Sequence, residues 1–241
     1  NKEELYLLML ISTLGALFMV CADNLASFFV SLELLSVPLY GMLAYTYARG
    51  KSLEAGFKYL ILSATASATM LMGMALIYSN TGTLSFRQIG MAIVPIFQNG
   101  MIMPILVVGT ALMLFGIAFK LSAVPFHTWT SDVYQGAPAP VATFLGSVSK
   151  VAMMALGLRF LLSTATLALP AVNTLIVVIA SSSMIIGNVL ALRQQNIKRL
   201  LAYSSIAHIG YVLAIVSAVK VESAGFVSLY MAVYAFTTIG A

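Results

Sequence analysis

A chain of 241 residues that is 61% hydrophobic and only 8% charged cannot be an ordinary soluble domain, in which about a quarter of residues are charged. Its net charge of +5 does not make a nucleic-acid partner, because the basic residues are scattered among short loops; positive charge here sets topology. One cysteine, Cys21, excludes an internal disulfide, and His127 and His208 alone give no metal-ligand cluster.

A spanning helix needs about 20 mostly apolar residues. Such windows fall at 5–22, 25–47, 55–79, 103–126, 138–160, 170–192, 199–219 and 223–241. The expected fold is an all-α polytopic transmembrane bundle, embedded in lipid bilayer, with about eight spans. Asn1 to Leu5 has no initiator methionine, basic leader or cleavage site, and Tyr230 to Ala241 stops inside an apolar run. The chain therefore reads as part of a longer polypeptide. If the first span starts in the cytoplasm, that side collects Lys2, Arg49, Lys51, Arg193, Lys198 and Arg199, against Arg87, Arg159 and Lys220 on the other. Positive charge thus favours this orientation.

Isolated charges interrupt the apolar runs. Glu33 stands in a stretch otherwise uncharged from Asn24 to Arg49. Lys58 lies one turn inside the third span, where its stem can reach the interface or its ammonium can serve a relay. The connector from Asn80 to Gly100 contains Leu84, Phe86 and Ile89, the pattern of an interfacial helix. Lys120 is the one charge between Pro104 and Val124, and Lys150 is alone in the following run. An ammonium at the bilayer centre costs about 2.5 to 3.5 kcal/mol on insertion scales, so such residues face a partner or a watery path and carry function by default. The competing reading is a structural ion pair or a bond to backbone carbonyls.

Pro125 follows Lys120 by five residues, and Pro138 and Pro140 close a polar segment from His127 to Gly136. A discontinuous helix near Lys120 to Pro125 is one expectation, since proline removes a donor and clashes with the preceding turn; a plain helix end at the interface is the other. Interrupted helices commonly form ion sites in transporters. His127 and Asp132 belong to the polar segment, and Tyr134 reads more simply as an interface anchor. His208, in the seventh span, titrates near neutrality and suits a relay, or packs as a hydrogen-bonded histidine. Ala55-Gly56-Phe57 and Ala224-Gly225-Phe226 open the third and eighth spans, a faint echo of five-helix units with inverted topology. The 14 methionines read as packing. The sequence offers no phosphate-binding glycine loop, iron-sulfur framework or nucleophile with a base partner.

The runs Phe119-Lys120-Leu121-Ser122-Ala123-Val124-Pro125-Phe126-His127-Thr128-Trp129 and Asp132-Val133-Tyr134-Gln135-Gly136-Ala137-Pro138-Ala139-Pro140-Val141 resemble the central signature of the antiporter-like membrane subunits of respiratory complex I. The likeness extends to Ser149-Lys150, to Asn196 through Ser205, to His208-Ile209-Gly210-Tyr211, and to Leu32-Glu33-Leu34-Leu35-Ser36-Val37-Pro38. It implies two inverted five-helix repeats, the first over residues 1–160 and the first three helices of the second over 161–241. It also implies that Glu33 pairs with Lys120, that Lys150 is the next relay position, and that a buried lysine stands at Lys58. By the same resemblance the chain moves protons in a bacterial inner membrane, or an organelle's. No cofactor is expected in the chain itself; NADH, FMN, iron-sulfur clusters and quinone belong to partner subunits, and other membrane-arm subunits, including antiporter-like sisters, are its neighbours. A multisubunit cation/proton antiporter carries a similar signature, and a membrane scaffold with structural charges is a third reading.

Overall fold

The computed structural model describes residues 2–46, 50–98, 103–219 and 223–241. Arg49 and Lys220, used above for topology, and Glu222, beside the internal echo, lie outside the described residues.

Among the described residues every regular element is helical: α1 (Lys2–Cys21), α2 (Leu25–Leu43), α3 (Gly50–Thr81), α4 (Phe86–Gln98), α5 (Pro104–Leu121), α6 (Thr128–Gly136), α7 (Ala139–Phe144), α8 (Lys150–Ser163), α9 (Pro170–Leu192), α10 (Ile197–Val219) and α11 (Ser223–Gly240). A π-helical turn, Leu145–Ser149, joins α7 to α8 without a break. Among the described residues, seven helical stretches are long and apolar enough to cross a membrane, counting Ala139–Ser163 as one. The eighth expected span corresponds to α11, whose apolar stretch is Ala224–Gly240. The third span starts earlier than its apolar window, because Lys51 and Glu54 extend the helix past the hydrophobic part into a polar end.

The helices begin where local chemistry starts them. Asn24 has extended backbone, and its side chain accepts the Ser27 N–H at 2.8 Å, satisfying one free donor of α2. Pro104 and Pro170 open α5 and α9 at positions where no N–H is needed. The expected interfacial helix is α4: Phe86, Ile89 and Ile93 point inward, while Met91 is exposed. Phe86 meets Phe28 and Phe160 edge to face, at 6.4 and 5.4 Å, so α4 closes one end of the bundle.

Two helical hairpins share one register. In the first, Gly15 faces the backbone of Leu35 so closely that a Cβ would lie 2.4 Å from the Leu35 nitrogen. In the second, a Cβ on Gly187 would lie 2.8 Å from the Ala207 nitrogen. The turn asparagines Asn24 and Asn196 follow these glycines at the same interval, and Asn196 accepts the Lys198 N–H at 3.0 Å as Asn24 accepts that of Ser27. The hairpins run in opposite directions: α1 ends beside Arg159, at the end of α8, whereas α9 ends where Arg199 bonds Gln194 and Asp132, at the start of α3.

Candidate functional site

The helix carrying Lys120 breaks inside the bundle. Ser122 takes a left-handed conformation, φ 63°, and ends α5. The Ser122 N–H is donated to Phe119 O at 2.9 Å and the Ala123 N–H to Ala118 O at 2.8 Å, so the last carbonyls are covered from within. The Val124 N–H, which no helix can use, is donated to Ser183 Oγ of α9 at 2.9 Å. Unpaired backbone away from water must be satisfied in this way, and here a side chain from a neighbouring helix supplies the acceptor. Of the two sequence readings of Pro125, the broken helix is the one observed, and the break falls before the proline.

Lys120 is 6% exposed and donates to two hydroxyls, Ser36 Oγ at 2.8 Å and Ser63 Oγ at 2.6 Å. Ser63 Oγ lies 3.0 Å from the Tyr40 hydroxyl, and the ammonium stands 5.8 Å from the Tyr59 ring centroid. Glu33 makes no ion pair with Lys120. It sits one turn before Ser36 on α2, with Oε1 buried and without a hydrogen bond. The two groups therefore share one helix face, with a serine closest to the ammonium.

Lys150 is 1% exposed and donates to Ser205 Oγ at 2.8 Å; Ser205 in turn donates to Ala202 O at 2.7 Å. The Tyr134 ring centroid is 5.9 Å from the ammonium. The π turn lies directly before Lys150, and its Gly146 carbonyl accepts the Tyr234 hydroxyl at 2.9 Å. Such turns interrupt the regular ladder and occur frequently at functional sites. His208, one turn beyond Ser205, is half-buried, with Nδ1 2.7 Å from the Tyr230 hydroxyl and its ring 5.5 Å from that of Tyr234.

Lys58 is elsewhere. Its side chain is 42% exposed and pairs with Glu54 at 2.7 Å and Asp132 at 3.1 Å at the polar end of the bundle. Asp132 also binds Arg199 at 2.8 Å, Arg199 reaches Gln135 at 3.1 Å, and Lys198 caps Ala137 O at 2.7 Å. The half-helix α6 is thereby clasped between α3 and α10. Burial alone would push the Asp132 carboxyl up, but hydrogen bonds from Lys58 and Arg199, with their charges, outweigh it and hold it below the usual carboxylate value. A carboxyl lowered in the folded state stabilises above its unfolded value, and that contribution is lost as pH falls through the folded one. Asp132→Asn is accordingly expected to lower the thermal midpoint in detergent slightly near neutral pH, exposed pairs being worth about 0.2 to 1 kcal/mol each. The gap to the parent should close below about pH 4; a gap unchanged in acid would mean that the contribution is not one of charge.

Sequence reasoning missed the serines as ligands. Ser36 and Ser205 carry a usable signal, since each lies three residues from an ionisable group on the same helix, Glu33 or His208. Ser63 and Ser183 have none, because only the tertiary fold brings them to Lys120 and to Val124.

A bundle of apolar helices, with one helix broken next to a buried lysine and a second lysine behind a π turn, defines a transporter-like membrane subunit. A family model described as NADH:quinone oxidoreductase/Mrp antiporter, TM, matches residues 22–241, and the chain belongs to that family. It is 62% identical over its full 241 residues to a protein of Psychrobacter arcticus called NADH-quinone oxidoreductase subunit N, covering 48% of that relative. The chain thus spans about half the length of the curated relatives it matches. Among solved structures it is similar to a chain of respiratory complex I from Thermus thermophilus with bound aureothin, with TM-score 0.80, 35% identity, and coverage of 98% of this chain and 50% of that one. It is also similar to a chain of the Mrp complex from Dietzia sp., with TM-score 0.83, 25% identity, and coverage of 95% and 42%.

Proposed function

We propose that the chain forms part of a subunit N of NADH:quinone oxidoreductase, moving protons through Lys120 and Lys150 with Glu33 and His208 as neighbouring stations. The observation that carries this reading is the neutral hydroxyl shell around both ammoniums. A serine hydroxyl can accept a hydrogen bond from an ammonium and, after a rotation, donate one to the neutral amine. Either protonation state therefore keeps its bonds, without the strong bias toward the charged form that a direct carboxylate partner would impose. Glu33, one turn away, biases the balance by its charge. Moving one charge through 100 mV costs about 2.3 kcal/mol, a small demand on such a site.

The proposed division is one five-helix unit over residues 1–160 and the first three helices of an inverted second unit over 161–241. The matched hairpin registers support it, and in that register Ser205 occupies the position of Glu33 and His208 that of Ser36. Lys58, half-exposed in its clasp, fits an entrance group better than a central station. The orientation with Lys51, Arg193, Lys198 and Arg199 toward the cytoplasm of a bacterial inner membrane follows the charge bias. NADH, FMN, iron-sulfur clusters and quinone act in partner subunits, and sister antiporter-like subunits flank this one in the membrane arm.

The likeness to an Mrp complex supports a second reading, cation/proton exchange. Membrane vesicles holding the full-length protein in its native assembly separate the two. Proton uptake driven by NADH is the expected result; proton movement that needs a sodium gradient and ignores NADH would replace the first reading with the second.

A further inference from the structure

Three buried polar atoms without a hydrogen-bond partner, Ser122 Oγ, Trp129 Nε1 and Thr130 Oγ1, fall in one short stretch, in which the His127 ring lies beside the Pro125 backbone and the Tyr134 hydroxyl beside Ser205. The stretch starts at the break beside Lys120 and ends beside Lys150. Buried polar groups are nearly always paired, and a run of unpaired ones calls for water. Irregular backbone and polar groups at such depth are tolerated where they line a hydrated space.

Tyr134 is the member of this stretch that touches a buried charge. Its side chain is 4% exposed, and its ring lies 5.9 Å from the Lys150 ammonium. Room for the Tyr134 hydroxyl comes from a glycine, since a Cβ on Gly146 would lie 2.8 Å from its oxygen. That glycine belongs to the π turn that delivers Lys150. The Tyr134 hydroxyl faces Ser205, the hydroxyl that holds the Lys150 ammonium at 2.8 Å, which places it on the way from that charge to the polar stretch.

We propose that the Tyr134 hydroxyl is a further proton-carrying group, linking Lys150 to water held along residues 122–134; this rests on the proton-translocating reading above. In the step, a Lys150 N–H bond breaks and its proton passes to a bridging water. That water gives one of its own protons to the tyrosine oxygen as the phenolic O–H proton moves to the next water. The bridging water and the tyrosine oxygen each take one proton and release one, Lys150 is left as a neutral amine, and the extra proton with its positive charge ends on the water nearer Lys120. Rotation of the hydroxyl resets the link.

The test uses the full-length subunit in its assembled complex in membrane vesicles, with proton uptake measured per NADH oxidised. Tyr134→Phe keeps the ring and removes the oxygen; it is expected to assemble normally and to lose about tenfold or more of the uptake, positioned proton-transfer groups being worth at least that. Gly146→Ala, which fills the hydroxyl's space while leaving the tyrosine, should reproduce part of the loss. Uptake unchanged in Tyr134→Phe overturns the proposal, and if that variant fails to assemble, unchanged uptake in Gly146→Ala does so instead. Lys150→Ala, run beside them, separates the two levels. Loss there with none in Tyr134→Phe sinks only the tyrosine's role, whereas full uptake in Lys150→Ala sinks the translocation reading itself.

Discussion

Lys120→Met is expected to assemble as well as the parent protein and to lose at least about tenfold of its proton uptake. The first half of that expectation follows from the energetics of the site. Removing the ammonium relieves an insertion cost of about 2.5 to 3.5 kcal/mol, and methionine fills much the same volume with a flexible apolar chain. Against that gain, Ser63 keeps Tyr40 while the buried Ser36 hydroxyl loses its Lys120 partner, at about 1 to 3 kcal/mol. The two nearly cancel, so stability measured by thermal unfolding in detergent should stay close to the parent's. The second half follows from chemistry, since the hydroxyls of Ser36, Ser63 and Tyr40 can pass a proton along but carry no charge that takes the ammonium's place. Lys120→Arg sharpens the test, because guanidinium keeps the charge but does not give up a proton in proteins. If fixed charge were all the site needs, Lys120→Arg would keep its uptake; loss in both variants with normal assembly identifies proton exchange. Normal uptake in Lys120→Met would promote the scaffold reading, in which the buried charges only lock helices together.

Hydropathy made most of the fold legible. Apolar windows located the spans, and the lone lysines marked the chemistry because a charge in such a window has no cheap explanation. The proline at 125 pointed to the break but not to its position, which is set by Ser122 adopting φ 63° and by the bonds from Ser122 and Ala123. Glu33 was legible as a buried carboxylate, yet its distance from Lys120 was not, because a one-turn offset on α2 exchanges a carboxylate for Ser36 as the direct ligand. Lys58 shows the limit from the other side. Its sequence neighbourhood left snorkelling and relay equally open, and the choice turns on Asp132, which is remote in sequence and arrives on α6. The π turn before Lys150 left no trace in hydropathy, since Leu145-Gly146-Ser147-Val148-Ser149 fits an α-helix equally well.

Gly15→Ala is expected to be the most damaging single methyl in the first hairpin. An added Cβ would fall 2.4 Å from Leu35 N, 2.7 Å from Leu34 C and 2.9 Å from Leu35 Cα, all backbone atoms that cannot swing aside. The helices must separate, which also strains the Ser12 bond to Leu35 O at 2.9 Å. Overpacking of this kind costs about 1 to 3 kcal/mol or more, and small residues are what permit such close helix contact in a membrane. Gly187→Ala repeats the experiment in the second hairpin, with a looser 2.8 Å approach to Ala207 N, and should cost less. Gly41→Ala is the control: its new methyl would meet only Leu8 Cδ1 at 3.5 Å, and replacing glycine inside a helix gains up to about 1 kcal/mol. Thermal midpoints in detergent should therefore rise from Gly15→Ala through Gly187→Ala to the parent, with Gly41→Ala at or above it. The same order should appear in proton uptake, because Ser36 follows Leu35 directly and any shift of α2 moves a ligand of Lys120. Equal stability of Gly15→Ala and Gly41→Ala would mean that the hairpin contact does not hold α2, and that Lys120 is positioned by α3 and the break alone.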